Sequence, residues 1–124
     1  MSVSFDISRT RPGLSGGKYP ADCPTRTVLT QITSRWGVLI LLALESGPLR
    51  WGELHREIEG ISEKMLASTL RTFAADGIVD RQAQATIPPR VDYSLTERGH
   101  EIAARLVPLM DWIADNADDI VGGR

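Results

Sequence analysis

The spacing around Gly60 narrows the fold more than any other feature of this chain. Upstream, in WGELHREIEG (residues 51–60), Leu54 and Ile58 share one helical face, while Glu53, Arg56 and Glu57 fall on the other. Gly60 breaks that helix. Ser62 then stands where a side-chain oxygen accepts the free N–H groups of a new helix, and no helix breaker recurs until Gly77. In this second helix Met65, Leu66, Leu70, Phe73 and Ala74 form an apolar stripe, and Lys64, Ser68, Arg71 and Thr72 occupy the opposite face. Two helices joined by so short a turn define a helix-turn-helix. Ser62, Lys64, Ser68, Arg71 and Thr72 are the kinds of side chain that reach phosphates and base edges, and they are the expected DNA contacts of its second helix.

The flanking stretches supply a frame for that unit. Asp22, Cys23, Pro24 and Thr25 mark a helix start, with Pro24 near a first turn that does not need its missing N–H, and Val28, Leu29 and Ile32 form an apolar face. Thr33 or Ser34 is placed to cap the next helix. Residues 36–44 of that helix are apolar on nearly every side, which predicts a central position, and Gly47-Pro48 ends it. After Gly77, Ile78 and Val79 open a strand through Gln84. A second strand alternates, with Val91, Tyr93 and Leu95 on one side and Asp92 and Ser94 on the other. Ala85 to Pro89 is too proline-rich for a tight turn, so the two-stranded ribbon carries an extended tip, with Arg81 and Arg90 near its end. Such a ribbon directly after a helix-turn-helix is the wing of a winged helix, and Arg81 and Arg90 are its expected DNA contacts.

Thr96 and Glu97 start a last helix, about residues 97–120. Its apolar positions Ile102, Leu106, Leu109, Met110, Ile113, Ala117 and Ile120 recur through Pro108, which is expected to kink the helix without ending it. This stripe is longer than a small domain covers alone. Ile102, Leu106, Leu109, Met110 and Ile113, together with Val28 and Ile32 of the first helix, are therefore the expected homodimer interface, the alternative being that the last helix folds back wholly on its own core. The fold class is mainly α with a small β-hairpin (α+β), a winged helix-turn-helix with N- and C-terminal dimerisation helices. Residues 1–21, with Arg9, Arg11 and Lys18 among Ser, Gly and Pro, form a flexible basic arm, and residues 22–124 form the winged-helix domain.

With 124 residues, 42% of them hydrophobic, the chain is long enough for one such core. No apolar run reaches the roughly 20 residues that span a bilayer, and the N-terminus lacks the hydrophobic segment of a signal peptide, so a cytoplasmic protein without a membrane partner is expected. A net charge of −2 weighs against nucleic acid, because DNA affinity comes chiefly from Lys and Arg. The charge is uneven, however. Residues 1–50 hold six Lys or Arg against three acids, residues 51–98 six against eight, and residues 99–124 two against five.

The segments CP at 23–24, SRWGVLILLALESGPLRWGELHREIEGISEKMLASTLRTFAADGIVDR at 34–81 and PPRVDYSLTERG at 88–99 resemble the HxlR-type transcriptional regulators, winged-helix relatives of the MarR group. The resemblance covers roughly residues 23–118. It implies a homodimeric repressor or activator that binds double-stranded DNA at a palindromic operator. Several members of that family sense electrophiles or oxidants through a cysteine at the start of the first helix, the place Cys23 holds here. A helix N-terminus favours the thiolate, as does nearby Arg26, whereas Asp22 opposes it. With no second cysteine, oxidation leads to a sulfenic acid, a mixed disulfide or a bridge between subunits; the bland reading of Cys23 is a small, packed, inert thiol.

Two other readings stay open. The winged helix could serve protein contact instead of DNA, and the effector could be a small molecule held between dimer helices and wing, near Trp36, Met110 and Trp112. An enzyme is not expected: His55 and His100 have no metal-ligand spacing, no phosphate loop follows a strand, and no cofactor or metal is implied.

Overall fold

The computed structural model describes residues 23–123, in two compact units that divide between Ser34 and Arg35. The arm expected over residues 1–21 lies outside the described residues.

The first unit is represented by α1, Pro24–Thr33. Cys23 is its N-cap, and Pro24 follows in the first turn. Thr33 closes α1 instead of capping the next helix: its hydroxyl donates to the Leu29 carbonyl at 2.6 Å. The Ser34 hydroxyl donates to the Gln31 carbonyl at 3.2 Å.

In the second unit α2, Arg35–Glu45, is the central element, packed against every neighbouring helix and the sheet. Ile40, Leu41 and Leu44 are buried on one side, as is Gly37. Leu39, on another side, remains partly exposed, so the all-round apolar pattern is only half used within one chain. The helix ends before Gly47, whose φ of +146° a side chain would resist and whose N–H donates to the Leu44 carbonyl.

Strand β1, Leu49–Arg50, leads into α3, Trp51–Glu57, which buries Leu54. Ile58 and Ile61 are buried on either side of the turn at Gly60, where φ is +90°. Ser62 then caps α4, Glu63–Ala75, its Oγ accepting the Met65 N–H at 3.0 Å. Leu66, Leu70 and Phe73 anchor α4 in the core. Met65 and Ala74, expected in that stripe, are exposed. Neighbouring residues on a helix lie about 100° apart, and the core takes the narrower arc centred on Leu66, Leu70 and Phe73.

Strands β2, Val79–Gln84, and β3, Arg90–Leu95, form the antiparallel wing in the register Val79↔Leu95 to Gln84↔Arg90. The sheet has three strands, not two. β1 pairs antiparallel with the other edge of β3, Leu49 opposite Tyr93 and Arg50 opposite Asp92, which gives the order β1-β3-β2. A strand of two residues has no periodicity to read, so only the paired structure reveals it.

Helix α5, Glu97–Gly122, passes through Pro108 without stopping. Its start is fixed by one junction. The Thr96 hydroxyl donates toward the Gly77 and Ile78 carbonyls, at 2.6 and 3.0 Å, and its oxygen accepts the Gly99 N–H. Arg98 donates to the Asp76 carbonyl at 2.7 Å, and Gly77, at φ +71°, turns the chain out of α4. The end of α4, the root of the wing and the start of α5 are thereby joined. No single helix among the described residues is long and apolar enough to cross a membrane.

Candidate nucleic-acid interface

With Leu66, Leu70 and Phe73 in the core, α4 must turn its other face outward. Lys64, Ser68 and Arg71 are exposed there, one helical row at steps of four and three residues. Thr72 lies at its side, half-buried, and its hydroxyl donates to the Ser68 carbonyl at 3.2 Å. Ser62 is exposed, but its oxygen is engaged as the cap, which leaves the O–H to donate outward.

The wing meets this face from one side. Arg81 on β2 is exposed and stands opposite buried Tyr93 on β3. Arg71 and Arg81 line one crevice of about 220 Å³, floored by Leu70 and Tyr93. Two guanidinium-bearing side chains from different elements therefore border the same hollow, a disposition suited to a phosphate. Arg90 is held differently. Its Nε donates to the Asp92 carboxylate at 3.0 Å, and the second carboxylate oxygen accepts from Gln84 Nε2 at 2.9 Å. Asp92 thus offsets part of the charge that the sequence pattern assigns to the wing.

Three features escape the sequence pattern. Arg50 of β1, exposed, lines with Trp51, Gln84 and Arg90 a wider crevice of about 520 Å³ beneath the wing tip, which adds a cation from the third strand. Ile87 at the tip is entirely in solvent. Met65 is 42% exposed on the outward side of α4.

The remaining expected site residues lie elsewhere. Cys23 is a half-buried free thiol whose Sγ accepts the Arg26 N–H at 3.4 Å. On α1, Pro24, Thr25, Val28, Leu29 and Ile32 line an apolar groove of about 440 Å³. On α5, Ile102 and Met110 are half-buried, while Leu109 and Ile113 are exposed along with Trp112, Ile120 and Val121. Leu106 does not belong with them. It is 9% exposed and sits with Ala103 in the core of its own chain, because the first half of α5 packs on α2.

A central apolar helix, a helix-turn-helix with a cationic outward face and a β-ribbon beside it define a winged-helix transcriptional regulator. The comparisons with known proteins agree. Residues 31–120 match the family model described as HxlR-like helix-turn-helix, and the chain belongs to that family. It is 44% identical over 118 residues to the HTH-type transcriptional regulator YtfH of Escherichia coli (strain K12), covering 95% of this chain and 94% of that one. Among solved structures, the transcriptional regulator ytfH from Salmonella typhimurium superposes with a TM-score of 0.78 at 44% identity, over 83% of this chain and 92% of that one. The redox regulator HypR in its oxidized form gives a TM-score of 0.70 at 33% identity, over 76% and 97%.

Proposed function

We propose that this regulator acts as a homodimer on a palindromic operator, with α4 in the major groove and the wing along the adjacent backbone. The observation that carries the reading is the single hollow bordered by Arg71 of α4 and Arg81 of β2, next to exposed Lys64 and Ser68. Phosphate contacts from helix and wing fix the register on the duplex, and α4 side chains then meet base edges. Arg90 contributes less than Arg81, since it shares its charge with Asp92.

The dimer reading rests on α5. Its C-terminal half leaves Leu109, Trp112, Ile113, Ile120 and Val121 exposed on one helix, an apolar area that a second copy covers most simply. The apolar groove on α1, with Val28 and Ile32, is a second surface that a partner copy would cover. Two-fold symmetry then places two α4 helices on half-sites about one helical turn apart.

The signal reaches the protein through Cys23. The thiol stands at a helix N-terminus, half-buried and in hydrogen-bond contact with a backbone N–H, and the HypR neighbour is titled a redox regulator. With one cysteine per chain, an oxidant such as diamide takes up two electrons and two protons while Cys23 joins a second thiol, from the partner subunit or from a small molecule. The test is titration of a fluorescent operator with and without diamide. The wild type is expected to lose affinity on treatment and recover it with dithiothreitol, and Cys23→Ser is expected to bind without responding. An equal diamide response in Cys23→Ser contradicts the sensing assignment, and absence of operator binding by untreated wild type contradicts the regulator assignment.

A further inference from the structure

Met65 differs from every other large apolar side chain of α4. Leu66, Leu70 and Phe73 are buried, whereas Met65, in the first turn, is 42% exposed beside Lys64. Two threonines continue its lane. Residues 65, 69 and 72 recur at steps of four and three, which places them along one side of the helix. The Thr69 hydroxyl donates to the Met65 carbonyl at 2.8 Å, and the Thr72 hydroxyl donates to the Ser68 carbonyl at 3.2 Å. Both hydroxyls are thereby committed to the helix's own backbone, and the two half-buried threonines add no free O–H donor to this lane. An apolar lane therefore runs beside the row of Lys64, Ser68 and Arg71. The cations on that row select a polyanion as the occupant of this face and disfavour an uncharged apolar partner.

In the major groove one base edge carries an apolar group, the C5 methyl of thymine. The first turn of a recognition helix is the part that reaches base edges, and the unbranched thioether of methionine adapts to a small methyl. We propose that Met65 is a specificity-determining residue that packs on the 5-methyl of a thymine in each half-site, with Thr69 and Thr72 behind it. The inference rests on the functional reading above and names the base chemistry that this reading leaves open.

The experiment starts from an operator selected out of random duplex DNA. Each thymine is then replaced by deoxyuridine, which removes the methyl and leaves every hydrogen-bonding group in both grooves. At one symmetric pair of positions the wild type is expected to lose roughly four-fold in affinity per half-site, or roughly sixteen-fold for both, the effect of one buried methyl on each side. Met65→Ala is expected to lose a comparable factor on the thymine operator and to be indifferent to uracil there, and Met65→Leu to retain the preference. Wild-type binding that is sequence-specific yet unaffected by uracil at every position overturns the contact, as do selected half-sites without thymine or a full thymine preference in Met65→Ala. If no sequence is enriched, the functional reading fails, and the contact with it.

Discussion

At the scale of single residues, Gly99 shows how close the packing is behind the interface. A Cβ at this position would collide with the Ile78 carbonyl oxygen and press on Leu95, so Gly99→Ala must push α5 off the root of the wing. Chemical denaturation is expected to show a loss of about 1–3 kcal/mol for this one methyl, as for other overpacked sites. Arg71→Ala touches the other side of the same scaffold. It should leave the denaturation midpoint unchanged and weaken operator binding by about 1–3 kcal/mol in a gel-shift titration; wild-type affinity would remove Arg71 from the interface. The residues that set this face were only partly legible in sequence. Lys64, Ser68 and Arg71 stand opposite Leu66, Leu70 and Phe73 in any helical reading, and they are exposed. Met65 and Leu66 are both apolar neighbours on the wheel, and pattern alone admits both to the core. Packing decides between them, because α4 rests on α2 and the sheet along an arc too narrow for both.

At the scale of elements, α5 does two jobs along its length. Between Glu97 and Leu106 it buries Gly99, Ala103 and Leu106, and beyond Pro108 Leu109, Trp112, Ile113, Ile120 and Val121 are exposed. The sequence shows the same three- and four-residue spacing on both sides of the proline, so it cannot say where the chain's own core stops. Two substitutions separate the halves. Leu106→Ala is expected to cost about 2–5 kcal/mol of fold stability in denaturation, as truncation of a buried leucine does. Leu109→Asp, at a side chain 54% exposed, is expected to leave each chain folded and to shift sedimentation from dimer to monomer. An unchanged dimer in that variant would contradict the α5 seam. The wing shows a parallel limit. Of its two long strands, β3 announces itself by alternation and β2 by the Ile78-Val79 opening after Gly77, whereas β1 is visible only through its pairing with Tyr93 and Asp92. That pairing brings Arg50 beside the wing, and the Gln84–Asp92 hydrogen bond depends on a cross-strand register that no local pattern encodes.

At the scale of the molecule, a net charge of −2 has to be reconciled with a polyanionic partner. The acids of α5 beyond Pro108, Asp111, Asp115, Asp118 and Asp119, lie on the element assigned to the dimer, while Lys64, Arg71 and Arg81 lie on the face assigned to DNA. Segregation of this kind lets an acidic protein carry a local cationic surface. If each subunit neutralises about four phosphates, log affinity should fall with log salt at a slope near −7 for the dimer, and a protein partner would respond far less. The most direct measurement is selection of bound fragments from random duplex DNA. Enrichment of a palindrome with half-sites about one helical turn apart is the result that the proposed two-fold arrangement of α4 helices predicts. Weak binding with no enriched sequence would contradict it, and would assign the exposed face of α4 to contact with another protein.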